Sequence, residues 1–269
     1  MEAALERPVH QEIEHDTTSS VAEACGPALS AEDDVRTSLE LLSSQRKYNR
    51  WIFDRVRPFV GERVCEVGCG IGNILEFMLD CREVVGIEPS ADSFGQVQAR
   101  LGDRRNVRFA NCFLSDCPRD DVPAESFDTV LCLNVLQEVE DDLEAVRTMR
   151  KLVRPNGRVV VLVPAHMALF GSLDRTYGFY RRYSRSSLAG VFEAADLRPL
   201  SSSYSNVLGF FGWWWFSRCL RRKELTAGST GLFDKFVPLL ALLERITPPP
   251  FGQSLIMAGT RHPRGQRAG

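Results

Sequence analysis

The stretch RVCEVGCGIGN, residues 63–73, decides the fold of this chain. Its first half is a short apolar run of strand length, and its second half is a turn with glycine at every second position. Glycine lets the backbone approach a ligand closely because no Cβ stands in the way. We predict a helix over 73–81, whose free N–H groups would face the same space. The pattern therefore predicts a strand, a ligand-binding turn and a helix.

Four further runs of strand length follow this one: EVVGIE, VRFAN, DTVLCLN and GRVVVLVP. They are continuous rather than alternating, which is typical of parallel strands buried on both faces. Helical spacing is predicted over 37–56, 91–101, 141–153, 186–195 and 232–246, with further strands over 197–206 and 254–258. The series predicts an α/β fold, a Rossmann-like doubly wound sheet whose ligand lies at the carboxyl ends of the strands.

The glycine spacing argues against a dinucleotide. A G-x-G-x-x-G fingerprint that starts at Gly68 needs glycine at position 73, where this chain has Asn73. It has instead a carboxylate, Glu66, two residues ahead of the first glycine. An acid there disfavours a pyrophosphate and suits a ligand with an ammonium group.

The joint pattern resembles motif I of the class I S-adenosylmethionine-dependent methyltransferases. Glu88 follows Gly68 by 20 residues, the spacing at which an acidic residue meets ribose hydroxyls. The resemblance extends over about residues 45–165. It implies a seven-stranded, mostly parallel sheet with the last strand antiparallel. It also implies S-adenosylmethionine (SAM) as cofactor, S-adenosylhomocysteine as product and no metal.

The resemblance also implies which residues bind the cofactor. After the third strand the family often places an acid on the adenine, whereas this chain has Asn111, Cys112 and Phe113. An amide or the backbone would then bind the adenine amine. The implied cofactor-binding residues are Tyr48, Glu66, Gly68, Cys69, Gly70, Gly72, Asn73, Glu88, Pro89, Ser90, Asn111, Cys112, Phe113, Leu133, Asn134 and Val135.

Two residues are candidates for handling a proton. Many relatives have histidine where this chain has Glu138, so this carboxylate is the first candidate base. The alternative is that Glu138 belongs to the solvated acidic start of the next helix. His166, the only histidine outside the terminal segments, is the second candidate; its alternative is a structural role.

The segment after His166 mixes aromatic and arginine side chains and resembles a bacterial branch of the same family, whose substrates are mostly uncharacterised. Its position at the sheet edge predicts a lid over the acceptor, with lid segments near 166–185 and 207–246. The alternative is that these side chains pack and pair within the lid. The predicted acceptor-binding residues are Gln137, Phe170, Tyr177, Tyr180, Arg181 and Trp213.

The run VLGFFGWWWF, residues 207–216, is too short to cross a bilayer. It predicts a hydrophobic wall over the substrate, a homodimer contact through 210–216, or a helix that lies on a membrane. We favour the wall or the homodimer, because the rest of the sequence has no other membrane signal.

Composition and charge bear on the partners, the metal sites and the compartment of the protein. The chain has 269 residues and a net charge of −2, which disfavours nucleic acid as a partner. Its 8 cysteines and 4 histidines lack zinc-site spacing, and its start lacks a secretory signal, which predicts a cytoplasmic protein. The predicted organisation is a mobile acidic arm over 1–36, one domain over 37–262 and a basic tail over 263–269.

These observations predict methyl transfer from SAM to an O, N or C atom of a small, aromatic or hydrophobic metabolite. One alternative is a ring closure such as cyclopropanation that uses the same sulfonium chemistry. A second is a regulatory protein that binds the cofactor without turnover. A nicotinamide oxidoreductase is a third.

Overall fold

A computed structural model describes residues 45–220 and 227–262 of the chain. The predicted acidic arm and basic tail lie outside these residues. The strands are β1 Arg63–Val67, β2 Glu83–Ile87, β3 Val107–Ala110, β4 Phe127–Leu133, β5 Val153–Pro164, β6 Leu197–Ser205 and β7 Ser254–Arg261. The α-helices are α1 Arg46–Val56, α2 Ala91–Leu101, α3 Asp142–Leu152, α4 Ser172–Thr176, α5 Arg185–Ala194, α6 Val207–Trp213 and α7 Ala227–Ile246.

The strands form one sheet in the order β3-β2-β1-β4-β5-β7-β6. The first four pairings are parallel, whereas β7 runs antiparallel to both of its neighbours. The predicted doubly wound sheet with an antiparallel last strand is therefore confirmed. The order reverses between β1 and β4, and in such sheets the ligand site lies at that reversal.

Helices cover both faces of the sheet. On one face, Ile52 and Val56 of α1 pack with Val97 of α2. On the other, Met149 of α3 packs with Phe192 of α5. Strand residues alternate between these two buried clusters, because successive side chains point to opposite faces. Both faces of the central strands are thus buried from solvent, as the continuous apolar runs predicted.

The predicted helix over 73–81 is wrong. The chain forms only a single 3₁₀ turn, Leu75–Met78, between the glycine turn and β2. Ile74, Leu75 and Met78 are buried, whereas Glu76 and Phe77 are half-buried and Asp80 is exposed, so the burial follows a helical spacing although the backbone does not continue as a helix. Tertiary contacts therefore override the helical spacing here, and no α-helix begins directly after the glycine turn.

The two predicted lid segments contact each other. Gly171 lies against Ser217, and the Ser172 hydroxyl donates to the Ser217 carbonyl at 3.1 Å. Ser217 belongs to a π-helix, Trp214–Cys219, that continues α6. Within the described residues, no helix is long and apolar enough to cross a membrane.

Candidate functional site

The glycine turn after β1 has left-handed backbone conformation at all three glycines. Gly68, Gly70 and Gly72 have φ of 66°, 53° and 83°. A Cβ on Gly68 would come within 2.5 Å of Val135, and one on Gly72 within 2.8 Å of Val97. A Cβ on Gly70 would meet no atom within 4 Å. The turn is therefore packed against the fold at its ends and open in the middle, where a ligand can approach.

Glu88 links this turn to the end of β2. Its Oε2 accepts a hydrogen bond from the Gly70 N–H at 2.8 Å, and its Oε1 accepts one from the Ser90 N–H at 2.9 Å. The side chain is 7% exposed. Each carboxylate oxygen keeps a further lone pair, so Glu88 can hold the turn and still accept from a ligand hydroxyl.

Glu66 is a buried carboxylate within β1. Its Oε2 has no hydrogen-bond partner among the described residues. Burial, with a smaller contribution from the Glu88 carboxylate, raises the pKa of Glu66 to about 8. A buried acid with an unpartnered oxygen is stabilised by an incoming cation or donor.

The residues after β3 divide between the core and the surface. The Asn111 amide donates to the carbonyls of Glu88 and Pro89, at 2.8 and 3.2 Å, which leaves its own oxygen as an acceptor. The Cys112 side chain is buried, with its sulfur 4.0 Å from that of Cys117. Phe113 is 64% exposed. Phe113 can thus lie against a flat ring, whereas Cys112 can offer only its backbone.

The end of β4 carries the first candidate base. Leu133 is buried, Asn134 is exposed with φ of 57°, and Val135 packs on Gly68. Glu138 lies in the following 3₁₀ turn.

Glu138 is exposed at the surface, and partial desolvation by the neighbouring protein atoms is the largest cause that raises its pKa, to about 7. The Glu88 carboxylate adds to this increase, and a hydrogen bond from Gln137 at 3.2 Å opposes it. Glu138 therefore shares the electrostatic environment of the glycine turn.

Three more of the predicted cofactor-binding residues, Ser90, Asn73 and Cys69, contact other residues of the protein. Ser90 caps α2 by accepting from the Ser93 N–H at 3.4 Å, and Asn73 accepts from Arg100 at 3.1 Å. Cys69 is buried, and a Cβ on Gly86 would come within 2.7 Å of its sulfur. Sequence reasoning missed this role of Gly86, because one glycine inside a strand does not indicate which side chain it approaches.

Tyr48 lies apart from the glycine turn. Hydrogen bonds with Ser254 and Asn206 act on its hydroxyl, whose pKa is raised chiefly by burial. Ser254 begins β7, which is separated from β1 by β4 and β5. At about 4.8 Å per strand, that is roughly 14 Å from β1. The structure therefore does not bring Tyr48 beside Glu88, and its predicted contact with the cofactor stays a prediction.

His166 lies against β6 and α6. Its ring stacks on Tyr204 with centroids 4.8 Å apart and meets Phe210 edge-on at 5.6 Å. Burial, together with the positive charge of Arg182, lowers the pKa of the imidazole. Its Nε2 has no partner among the described residues. The contacts of His166 thus lie with the lid rather than with Glu66 and Glu88.

Two predicted acceptor-binding side chains make hydrogen bonds and ion pairs within the protein. Trp213 donates from Nε1 to Asp174 at 3.1 Å, and its ring lies 4.9 Å from the guanidinium carbon of Arg182. Arg181 binds the Glu140 carbonyl and pairs with Asp142 at 2.9 Å. These contacts match the packing alternative, and any contact with an acceptor stays a prediction.

Sequence reasoning missed a buried ion pair within the predicted lid segment 166–185. Arg182 Nε lies 2.6 Å from Asp174 Oδ1, and both side chains are fully buried. Asp174 also accepts from the Gly171 N–H at 2.9 Å, and Arg182 donates to the Ala165 carbonyl at 3.0 Å. The two residues stand among other charged side chains in the sequence, so no signal marks them as a pair.

The remaining predicted acceptor-binding residues differ in exposure. Tyr180 is 52% exposed, with the Arg181 guanidinium 5.8 Å from its ring, and Tyr177 lies near Trp213. Phe170 is half-buried beneath Arg175. Gln137 is fully buried, its carbonyl accepts from the Tyr180 N–H, and its Oε1 has no partner among the described residues. Tyr180 is thus the most accessible of the four.

Two groups of relatives are similar to this chain in sequence. Residues 65–159 match a family model described as a methyltransferase domain. The ubiquinone biosynthesis O-methyltransferase of Acinetobacter baumannii (strain ACICU) is 27% identical over 112 residues, which cover 40% of this chain and 46% of the relative. The tRNA U34 carboxymethyltransferase of Hydrogenovibrio crunogenus is 28% identical over 123 residues, covering 42% of this chain and 37% of the relative. The matched region spans less than half the length of either relative.

Solved structures share the fold. A crystal structure of a SAM-dependent methyltransferase, possible histamine N-methyltransferase, from Thermotoga maritima superposes with a TM-score of 0.58 at 16% identity. The match covers 86% of this chain and 97% of that one. Among the described residues, no group of histidine, cysteine and carboxylate side chains is placed to hold a metal.

Proposed function

This chain belongs to the class I SAM-dependent methyltransferase family, and on that premise we propose that it methylates an O, N or C atom of a small aromatic or hydrophobic acceptor. One observation carries the proposal. Glu66, with an unpartnered and buried oxygen among the described residues, precedes a glycine turn that is open at Gly70, and the Glu88 carboxylate accepts a hydrogen bond from the middle of that turn.

The residues present fit the cofactor. When bound, SAM supplies a methyl group that its positively charged sulfonium makes electrophilic. Glu88 would accept from the ribose hydroxyls with its remaining lone pairs, and Glu66 would pair with the ammonium group. Phe113 would cover the adenine. Holding the reactants in line supplies most of the catalysis, worth about 7 to 11 kcal/mol for well-oriented groups.

Glu138 would remove the acceptor's proton. Its pKa of about 7 matches a general base at neutral pH, and it lies in the 3₁₀ turn that begins directly after Val135, the residue that packs on Gly68. His166 is the second candidate, but its ring lies among the aromatic side chains of β6 and α6.

A small acceptor is favoured over a nucleic acid. Glu88 interacts with both Glu66 and Glu138, so the site presents carboxyl groups rather than the basic side chains that bind phosphate groups. Exposed aromatic rings at Phe113 and Tyr180 suit a flat or apolar molecule. The proposed compartment is the cytoplasm, since the described cysteines are free thiols.

Calorimetry with SAM and S-adenosylhomocysteine, followed by mass spectrometry of products from a panel of phenols, amines and lipids, tests the proposal. We expect binding of both ligands and a product that is heavier by one methylene unit. Binding without turnover across the panel would favour a regulatory protein, and a product without added methyl mass would favour ring closure. Binding of NAD but not of SAM would contradict the proposal.

A further inference from the structure

The last helix of the lid carries an apolar stripe that faces solvent. Phe236, Leu239, Leu242, Leu243 and Ile246 of α7 are between 49% and 71% exposed. They recur at spacings of three and four residues, so they lie along one side of the helix. The opposite side is buried through Val237 and Glu244. An exposed stripe of this size on a folded domain marks a docking surface.

A second exposed apolar group lies on the π-helix that continues α6. The first turn of α6 is held to the last turn of α7, because Glu244 accepts from the Asn206 and Val207 N–H groups at 3.2 and 3.0 Å. In that π-helix, Trp214 and Trp215 are 46% and 52% exposed. Exposed tryptophan pairs are typical of protein surfaces that meet the interface between water and lipid.

The charges on α7 are sorted by sign. Its acidic residues face the protein: Asp234 accepts from the Tyr48 N–H at 3.0 Å, and Glu244 lies 3.7 Å from Arg55. Its basic residues Lys235 and Arg245 are exposed beside the apolar stripe. The face therefore presents apolar and positively charged side chains together.

We propose that this face, formed by the exposed apolar residues of α6, the π-helix and α7, docks on the surface of a membrane that contains anionic lipids. Such a bilayer offers both an apolar layer and negative charge, which this face complements. A second copy of the chain complements it poorly. Across a two-fold contact the same patch meets itself, so Lys235 and Arg245 would face apolar and basic side chains, because the acidic residues of α7 face the protein.

Flotation of the full-length protein with vesicles tests this directly. We expect the protein to float with phosphatidylcholine vesicles that contain phosphatidylglycerol, to bind pure phosphatidylcholine much more weakly, and to dissociate at high salt. Brominated lipids should quench its tryptophan fluorescence, and Trp214→Phe with Trp215→Phe should remove most of that quenching. Because these measurements include the wild-type protein, a variant that fails to fold does not decide the outcome.

Matched variants separate the apolar and electrostatic contributions. Leu239→Gln with Leu243→Gln should weaken vesicle binding by about tenfold or more, whereas Leu200→Gln, at an apolar side chain 45% exposed on β6, should not. Lys235→Glu with Arg245→Glu should weaken binding by about 20-fold or more. Arg82→Glu with Arg105→Glu, two exposed arginines that precede β2 and β3, is the charge control.

Three results would contradict docking of this face on a membrane. Wild-type protein that stays off anionic vesicles would overturn the proposal, since the face would then be covered by another part of the chain or by a second copy. A dimer in solution that Leu239→Gln with Leu243→Gln converts to a monomer, without vesicle binding, would assign the face to a homodimer. Equal loss of binding in the control variants would also overturn it.

Discussion

Glu88 accepts a hydrogen bond from the backbone N–H of Gly70 at 2.8 Å, which ties the end of β2 to the middle of the turn after β1. One carboxylate thus fixes the turn and lies beside the space that the turn leaves open. Mutations in this region therefore change two quantities, the stability of the fold and the affinity for the cofactor, and the following predictions separate them.

Gly70→Ala and Gly72→Ala should affect different properties. Both positions have positive φ, so each alanine carries a conformational cost of about 1–2 kcal/mol. At Gly72 the new methyl would also come within 2.8 Å of Val97 and 2.9 Å of Leu101, so this variant should be the less stable in urea unfolding. At Gly70 the methyl enters open space, so SAM affinity should fall more than stability. Equal losses of stability and unchanged SAM affinity in Gly70→Ala would contradict the assignment of the open turn to the cofactor.

Without cofactor, Glu66→Gln should be more stable than the wild-type protein, and the difference in free energy of unfolding should grow as the pH rises. The pKa of Glu66 is raised to about 8, above its ordinary value of 4.5, so the folded state holds a proton that the unfolded state has lost. The cost of ionising buried Glu66 lowers the free energy of unfolding of the wild-type protein. This cost is absent below pH 4.5, grows as the pH rises to about 8, and is absent in the glutamine variant. Urea unfolding at pH 5 and pH 8 measures it.

The same residue should report on binding. Pairing with an ammonium group favours the charged form of Glu66, so SAM binding at pH 7 should release a proton. Calorimetry in buffers of different ionisation enthalpy detects this release, which Glu66→Gln should abolish. Proton release that persists in the variant would show that another group takes the ammonium.

Glu138→Gln should reduce turnover and leave cofactor affinity nearly unchanged. A positioned base contributes on the order of 10² in rate. Because the carboxylate must be deprotonated to accept a proton, wild-type kcat should fall as the pH drops below about 7, and the variant should lose this dependence. Glu140→Gln, in the same acidic run, is the control. Wild-type rates in Glu138→Gln would assign Glu138 to the solvated start of α3 instead.

Asp174→Asn should destabilise the lid strongly, because it leaves the buried guanidinium of Arg182 without its charge partner. Removing one member of a buried pair costs roughly 3–5 kcal/mol, whereas exposed pairs contribute about 0–1 kcal/mol. Glu144→Gln breaks the exposed pair with Lys151 at 3.1 Å and provides the comparison in urea unfolding. Equal effects of the two substitutions would contradict the structural role of the buried pair.

The sequence predicts those parts of the fold that depend on local pattern. Buried parallel strands are continuous apolar runs, so β1 to β5 were predictable, and α2 begins and ends where its spacing indicates. The 3₁₀ turn at Leu75–Met78 was predicted as a helix because the spacing of apolar and polar residues over 73–81 fits a helical period, whereas tertiary packing leaves only one 3₁₀ turn.

The residues of the candidate site also divide into those that a local sequence pattern predicts and those that it does not. Glu66, the glycines and Glu88 follow from fixed offsets along the chain, and the structure brings them together. The pairing of Asp174 with Arg182, and the placement of Tyr48 beside Ser254, depend on contacts between distant loops and helices. Such contacts arise from tertiary packing and leave no local pattern in the sequence.

The most direct test of the central claim compares S-adenosylhomocysteine binding to the wild-type protein and to Glu88→Gln by calorimetry, with thermal unfolding of both proteins as the control for folding. Hydrogen bonds to a charged group contribute about 1.5–3 kcal/mol, so affinity should fall by roughly 10- to 150-fold. We expect this loss in a variant that remains folded. Equal affinity in the two proteins, or wild-type protein that binds NAD and not S-adenosylhomocysteine, would contradict the assignment of the Gly68–Gly72 turn and Glu88 to the cofactor.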